Sequence, residues 1–127
     1  MTLTTVVLLV LALFVAQIFF QETSRYHFNL WTIMGNRDVR PEPSLLAARL
    51  DRAKNNMLEA LPLFLGLAML ALIREGNTGP AVHGAMVFLI ARALYVPIYA
   101  AGIPVVRSLV WLAGMGGMLW MALTLTG

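Results

Sequence analysis

The sequence predicts an all-α integral membrane protein, a bundle of four helices that each cross the bilayer. Three observations carry this expectation. The 127 residues are 60% hydrophobic and only 12% charged, against about 25% charged in soluble domains. The apolar residues fall into four runs, each near the ~20 residues that a spanning helix needs. Of nine basic and six acidic side chains, ten lie between Gln21 and Asn56, which leaves the runs almost free of charge. A water-soluble monomer of this size could not hide so much apolar surface in one core. A disordered chain would lack that surface.

The first span is expected over residues 2–20, which hold no charge. It lacks a basic leader and a small-x-small cleavage site, so it is expected to be retained rather than removed as a signal peptide. A polar stretch follows, with a turn signal at Gly35-Asn36 and breaks at Pro41 and Pro43. Ser44 can cap the second helix, expected over 45–73, whose first part is amphipathic. Gly76-Asn77-Thr78-Gly79-Pro80 is a turn. The third span is expected over 81–101, with a kink at Pro97. Gly102 and Pro104 end it and start the fourth, expected over 105–126, where proline suits the first helical turn. Gly114, Gly116 and Gly117, with Ala113, read as a close-packing stripe, and Met115 and Met118 as packing residues. These spans and their loops use all of residues 1–127 as one domain.

Charge asymmetry orients the bundle. Arg25, Arg37, Arg40, Arg49, Arg52 and Lys54 all fall between Gln21 and Asn56. The positive-inside rule then puts the 21–56 loop in the cytoplasm and both termini outside. Tyr26, Phe28 and Trp31 suit an interfacial belt beside that loop. The net charge of +3 does not point to nucleic acid, because the basic residues are few and the chain between them is lipid-soluble.

The polar residues that remain in or beside the spans have helical spacing. Arg49, Arg52, Asn56 and Glu59 are separated by 3, 4 and 3 residues, which keeps them within an arc of about 80° on one helix face. Glu59 precedes an uncharged run to Ile73 and so sits below the interface, where an ionisable group usually faces a partner or a wet cavity. Arg92, Tyr95 and Tyr99 form a second set on one face of the third helix. Arg107 and Ser108 stand in the first turn of the fourth, where free N–H groups, a guanidinium and a hydroxyl suit an anion.

The topology brings all three sets to the same end of the bundle. Guanidinium forks favour carboxylates, Glu59 and Asn56 favour an amine and amides, and the tyrosines can sandwich a small chain. A small zwitterionic peptide with more than one carboxylate fits this inventory. Each residue also has a plainer reading: Arg49, Arg52 and Lys54 as anchors, Glu59 as the ion-pair partner of Arg52 or Arg92, Tyr99 as an interface aromatic, and Arg107 as a snorkelling cation. His27 and His83 fall on opposite sides of the membrane and cannot share a metal, so no metal site is expected. His83 is given no role.

The chain has no cysteine, so any thiol chemistry must use a thiol brought by a ligand. The run Arg52-Ala-x-x-Asn56-x-x-Glu59-x-x-Pro62-Leu63-Phe64 resembles the signature of the MAPEG family, the membrane-associated proteins of eicosanoid and glutathione metabolism. Ala91-Arg92-Ala-Leu-Tyr95-Val-Pro-Ile-Tyr99 resembles that family's third-helix signature, and Arg107-Ser108 the arginine that opens its fourth helix. Gly35-Asn36-Arg37-Asp38 and Ala101-Gly102-Ile103-Pro104 look most like the bacterial branch.

The resemblance implies a homotrimer in the bacterial inner membrane, with glutathione bound between neighbouring subunits as co-substrate. It implies a glutathione-dependent transferase or peroxidase acting on a lipophilic small molecule that arrives from the bilayer. Arg52, Asn56, Glu59, Tyr95 and Tyr99 would bind glutathione, with Ser108 and, more weakly, Arg49 beside them. Arg107 would be the catalytic residue, stabilising the thiolate, and Arg92 would support the carboxylates or the bundle. Arg37 and Arg40 are both candidates for a further contact. Two other readings stay open: a non-catalytic small-molecule-binding protein of the same fold, and a small anion transporter. A cation exporter fits poorly, since the first span holds no acid and Glu59 lies among arginines.

Overall fold

A computed structural model describes residues 1–25 and 45–126. Among these residues there are four helices and no strands: α1 (Leu3–Arg25), α2 (Leu45–Arg74), α3 (Ala81–Ala101) and α4 (Pro104–Leu125). All four are long and apolar enough to cross a membrane, and the chain is an integral membrane protein by that measure. The expected aromatic belt at Tyr26, Phe28 and Trp31, the Gly35-Asn36 turn, the Ser44 cap, and Arg37, Arg40 and His27 lie outside the described residues.

α2 and α3 form the middle of the bundle. α1 packs on both from one side and α4 on both from the other, so α1 and α4 do not meet. Each helix buries a stripe at 3- and 4-residue spacing: Leu3, Val6, Val10, Gln17 and Gln21 on α1, and Ala53, Met57, Ala60, Phe64, Ala68 and Ala71 on α2. The buried face of α2 is mostly alanine, which lets neighbouring backbones come close where lipid offers no hydrophobic drive to pack. Phe64 and Phe88 stack at 4.5 Å between α2 and α3. The outward faces carry large apolar side chains such as Leu8, Leu63, Ile73 and Leu119, as a surface in contact with lipid requires.

α1 runs beyond the expected end at residue 20, through Arg25. No glycine or proline stops it before Gly35, and its extra turn is held from within. Gln21 is buried, and its Oε1 accepts a hydrogen bond from Lys54 Nζ at 3.3 Å. α3 continues through Pro97, and α2 through Pro62.

The helix ends are capped by side chains from elsewhere. Asn77, in the α2–α3 turn, accepts hydrogen bonds from Leu3 N on its main-chain oxygen and from Thr4 N on Oδ1, at 2.9 and 2.7 Å. The Glu75 carboxylate accepts from Ala81 N at 3.2 Å, at the start of α3. α2 carries an arginine at each end for the C-termini of its neighbours. Arg49 Nη1 donates to Ala100 O at 3.2 Å, and Arg74 Nη1 donates to Leu125 O at 2.8 Å. A cation at a helix C-terminus meets the free carbonyls and the negative end of the dipole.

Gly102 closes α3 in the left-handed conformation, φ +75°. A Cβ there would lie 2.8 Å from the Arg49 guanidinium carbon. Only glycine meets both demands without strain. Pro104 occupies the first turn of α4 as expected.

Of the expected small-residue stripe, Gly114 and Gly117 are buried against α3. Gly116 and Ala113 are exposed, and nothing lies within 4 Å of where a Gly116 Cβ would be. At 100° per residue, neighbours in a helix cannot share one contact line. Met118 is buried and Met115 packs beside it.

Candidate functional site

The loop end of the bundle gathers the C-terminal ends of α1 and α3 with the N-terminal ends of α2 and α4. Between α2, α3 and α4 at this end lies a cavity of about 440 Å³, lined by Arg52, Asn56, Tyr95, Tyr99, Arg107, Ser108, Trp111 and Leu112. Six of these are residues singled out by spacing within their own helices, and the fold brings them to one place. Trp111 and Leu112 were missed. They stand four residues after Arg107 and Ser108, so helical repetition along the same face would have found them.

The cations and rings alternate. The Arg92 guanidinium lies 4.3 Å from the centre of the Tyr95 ring, and the Tyr95 and Tyr99 rings are 5.5 Å apart. Arg107 lies 4.8 Å from the Tyr99 ring. On the same tyrosine, Arg52 lies 5.9 Å from the ring centre, and its Nε donates to the Tyr99 hydroxyl oxygen at 3.1 Å. Ring faces attract guanidinium groups but leave most of their N–H edges unused. Neither Arg52 nor Arg107 has a carboxylate partner among the described residues; the nearby Asp51 pairs with Lys54 instead, at 3.2 Å. Among the described residues the cavity therefore holds two cations and no counter-charge in its lining.

Three other sequence candidates, Arg92, Arg49 and Glu59, stand apart from the lining. Arg92 is buried behind the wall, 2% exposed, and its Nη1 donates to Asn56 Oδ1 at 2.7 Å. Arg49 is taken up by the C-terminus of α3. Glu59 is exposed, roughly 10 Å along α2 from Arg52, and pairs with neither Arg52 nor Arg92. Ser108 lines the cavity, but its hydroxyl hydrogen goes to Pro104 O at 3.1 Å, leaving Oγ as an acceptor rather than the expected donor. His83 stacks on Trp120 at 6.0 Å toward the opposite end of the bundle. No cluster of metal-ligating side chains occurs among the described residues.

The class these features define is a four-helix membrane bundle with a cationic, tyrosine-lined cavity at one end. The chain belongs to the MAPEG family, whose sequence model matches residues 1–127. It is thus a membrane protein of the family concerned with glutathione and eicosanoid metabolism. No match is found among curated proteins.

Proposed function

We propose that the protein binds glutathione in the cavity at the loop end and uses its thiol as the nucleophile of a transferase or peroxidase. The observation that carries this reading is the pair of guanidinium groups, Arg52 and Arg107, which face one cavity with Tyr95 and Tyr99 and have no carboxylate partner among the described residues. Glutathione brings two carboxylates for the forks and the thiol that a chain without cysteine lacks.

In conjugation, Arg107 stabilises the thiolate once the S–H proton has left to solvent. The sulfur lone pair forms a bond to the electrophilic carbon, and the bond to the leaving group breaks with its electron pair. With a hydroperoxide, two glutathione thiols are oxidised to the disulfide while the O–O bond is reduced to alcohol and water. The apolar flank of the cavity, Trp111 and Leu112, suits a lipophilic substrate entering from the bilayer.

The exposed Glu59, an ionisable group costly to leave against lipid, favours assembly as the homotrimer that the family resemblance implies, with the site completed by a neighbouring subunit. The membrane is the bacterial inner membrane, with the 21–56 loop cytoplasmic and both termini outside. Glutathione titration of the purified protein, followed by a screen of electrophiles and hydroperoxides, tests the function. Saturable binding with turnover is expected, and no binding at millimolar glutathione overturns the reading. Orientation is tested separately with single cysteines at Ser44 and Thr78. They should label from opposite faces of the membrane, Thr78 from outside.

A further inference from the structure

We infer that Arg92, which does not itself line the cavity, fixes the polarity of Asn56, so that this position presents amide N–H donors and selects a carbonyl or carboxylate oxygen of the ligand. The inference rests on the glutathione reading for its ligand, and on geometry alone for the polarity.

The two ends of an asparagine amide are nearly the same in shape, so the hydrogen-bond network decides which way the group points. Here the neighbour leaves no choice. A guanidinium has five donors and no acceptor, so only Oδ1 can face it, as it does at 2.7 Å. The opposite orientation would set N–H against N–H. Arg92 cannot swing away to release the amide, because it is 2% exposed and lies over the Tyr95 ring. Its Nε and Nη2 find no hydrogen-bond partner, so Oδ1 of Asn56 is the one acceptor the described residues supply to a buried charge. Losing a partner under those conditions is costly.

Asn56 also lines the cavity, and with Oδ1 spent on Arg92 it is Nδ2 that remains for a ligand. This narrows the role expected from composition, in which Glu59 and Asn56 together favour an amine and amides. With Arg52 and Arg107, Asn56 makes the α2 and α4 walls donor-rich. A ligand carboxylate or amide carbonyl belongs there, and the ligand ammonium is held elsewhere. Arg92 is a positioning residue and Asn56 a specificity residue.

The polarity is read on the full protein in detergent by ¹⁵N labelling of asparagine, with the Asn56 side-chain signal assigned by its loss in Asn56→Asp. The Asn56 Nδ2 protons should exchange with water through the cavity. They should shift in Arg92→Gln, because glutamine can donate or accept and so frees the amide to turn. An unchanged signal in Arg92→Gln, or Nδ2 protons sealed from water, overturns the inference.

Calorimetry gives the second arm. The carboxylate introduced by Asn56→Asp still accepts from Arg92, so this variant should keep the thermal midpoint of the wild type. It replaces the donor with an acceptor, and glutathione should bind about thirtyfold more weakly, ~2 kcal/mol. Wild-type affinity in Asn56→Asp overturns the inference. Absence of glutathione binding to the wild type sinks the functional reading instead, and the exchange and Arg92→Gln signals then decide the polarity.

Discussion

Gly117→Ala is expected to destabilise the bundle by about 2 kcal/mol net, and Gly117→Val by more, whereas Gly116→Ala should be neutral or slightly stabilising. A Cβ on Gly117 would stand 2.6 Å from Gly84 O and 2.9 Å from Phe88 N. The contact is reciprocal, since a Cβ on Gly84 would stand 2.5 Å from Gly117 O. These are backbone atoms of the facing helix, and they cannot turn aside as a side-chain tip can. Any added carbon must push α3 and α4 apart and loosen Phe88, Met118 and Met121, which are buried at this crossing.

The helix propensity gained on replacing glycine by alanine is about 1 kcal/mol and works in the opposite direction. Gly116, one residue away, receives that gain with nothing in its path, so comparing the two neighbours isolates the contact from the propensity. Thermal unfolding in detergent reads both. A Gly117→Ala midpoint at or above that of Gly116→Ala would show that the close approach does not govern stability. The crossing also sets how α4 sits beside α3, and hence the reach of Arg107 to Tyr99. Gly117→Ala should therefore weaken ligand binding as well.

That crossing marks the limit of what was legible in the sequence. Spacing within a helix is a local property, so the pairs Arg52 with Asn56 and Tyr95 with Tyr99 were readable as shared faces, and charge scarcity picked them out. The four spans were readable for the same reason: length and apolarity are properties of a segment. Side-chain partners across helices were not readable, because they depend on the axial registration of α2, α3 and α4, which Gly84 and Gly117 help to set. Arg49 shared the face of Arg52 in the sequence, yet it is drawn to the free carbonyls where α3 ends. Arg92 read as a support for either the ligand carboxylates or the bundle, and which neighbour it holds, Asn56, was not readable. Glu59 shares an edge of α2 with Arg52, and both are exposed there. Which of the two meets a ligand depends on what covers that edge, which no periodicity reveals.

Under the glutathione reading, Arg107→Ala should lower kcat/KM about 10²- to 10³-fold, a loss of roughly 3–4 kcal/mol of transition-state stabilisation, with little change in stability. Arg107 is partly exposed, and its contact with the Tyr99 ring is worth about 0.5–1 kcal/mol at such a site, so the fold does not depend on it. Chemistry does, because a free thiol has a pKa of about 8.5 and only the thiolate attacks. A guanidinium in reach of the sulfur favours the charged form, and each unit by which it lowers the thiol pKa is worth about 1.4 kcal/mol.

The sign of the pH dependence follows. Wild-type activity should be level across the range above its lowered thiol pKa. Arg107→Ala should gain activity as pH rises through about 8.5, where the bound thiol ionises unaided. Arg107→Lys keeps a positive charge but loses the flat face that lies on Tyr99 and the paired N–H edge, so it should fall between the two. The ultraviolet thiolate band on glutathione binding measures the ionised fraction directly. It should be strong in the wild type at neutral pH, weak in Arg107→Ala, and recovered in that variant at high pH. An equal band in both proteins at neutral pH would move the stabilising role away from Arg107, to Arg52 or to the Tyr99 hydroxyl, whose oxygen already accepts from Arg52 and whose proton remains available to the sulfur.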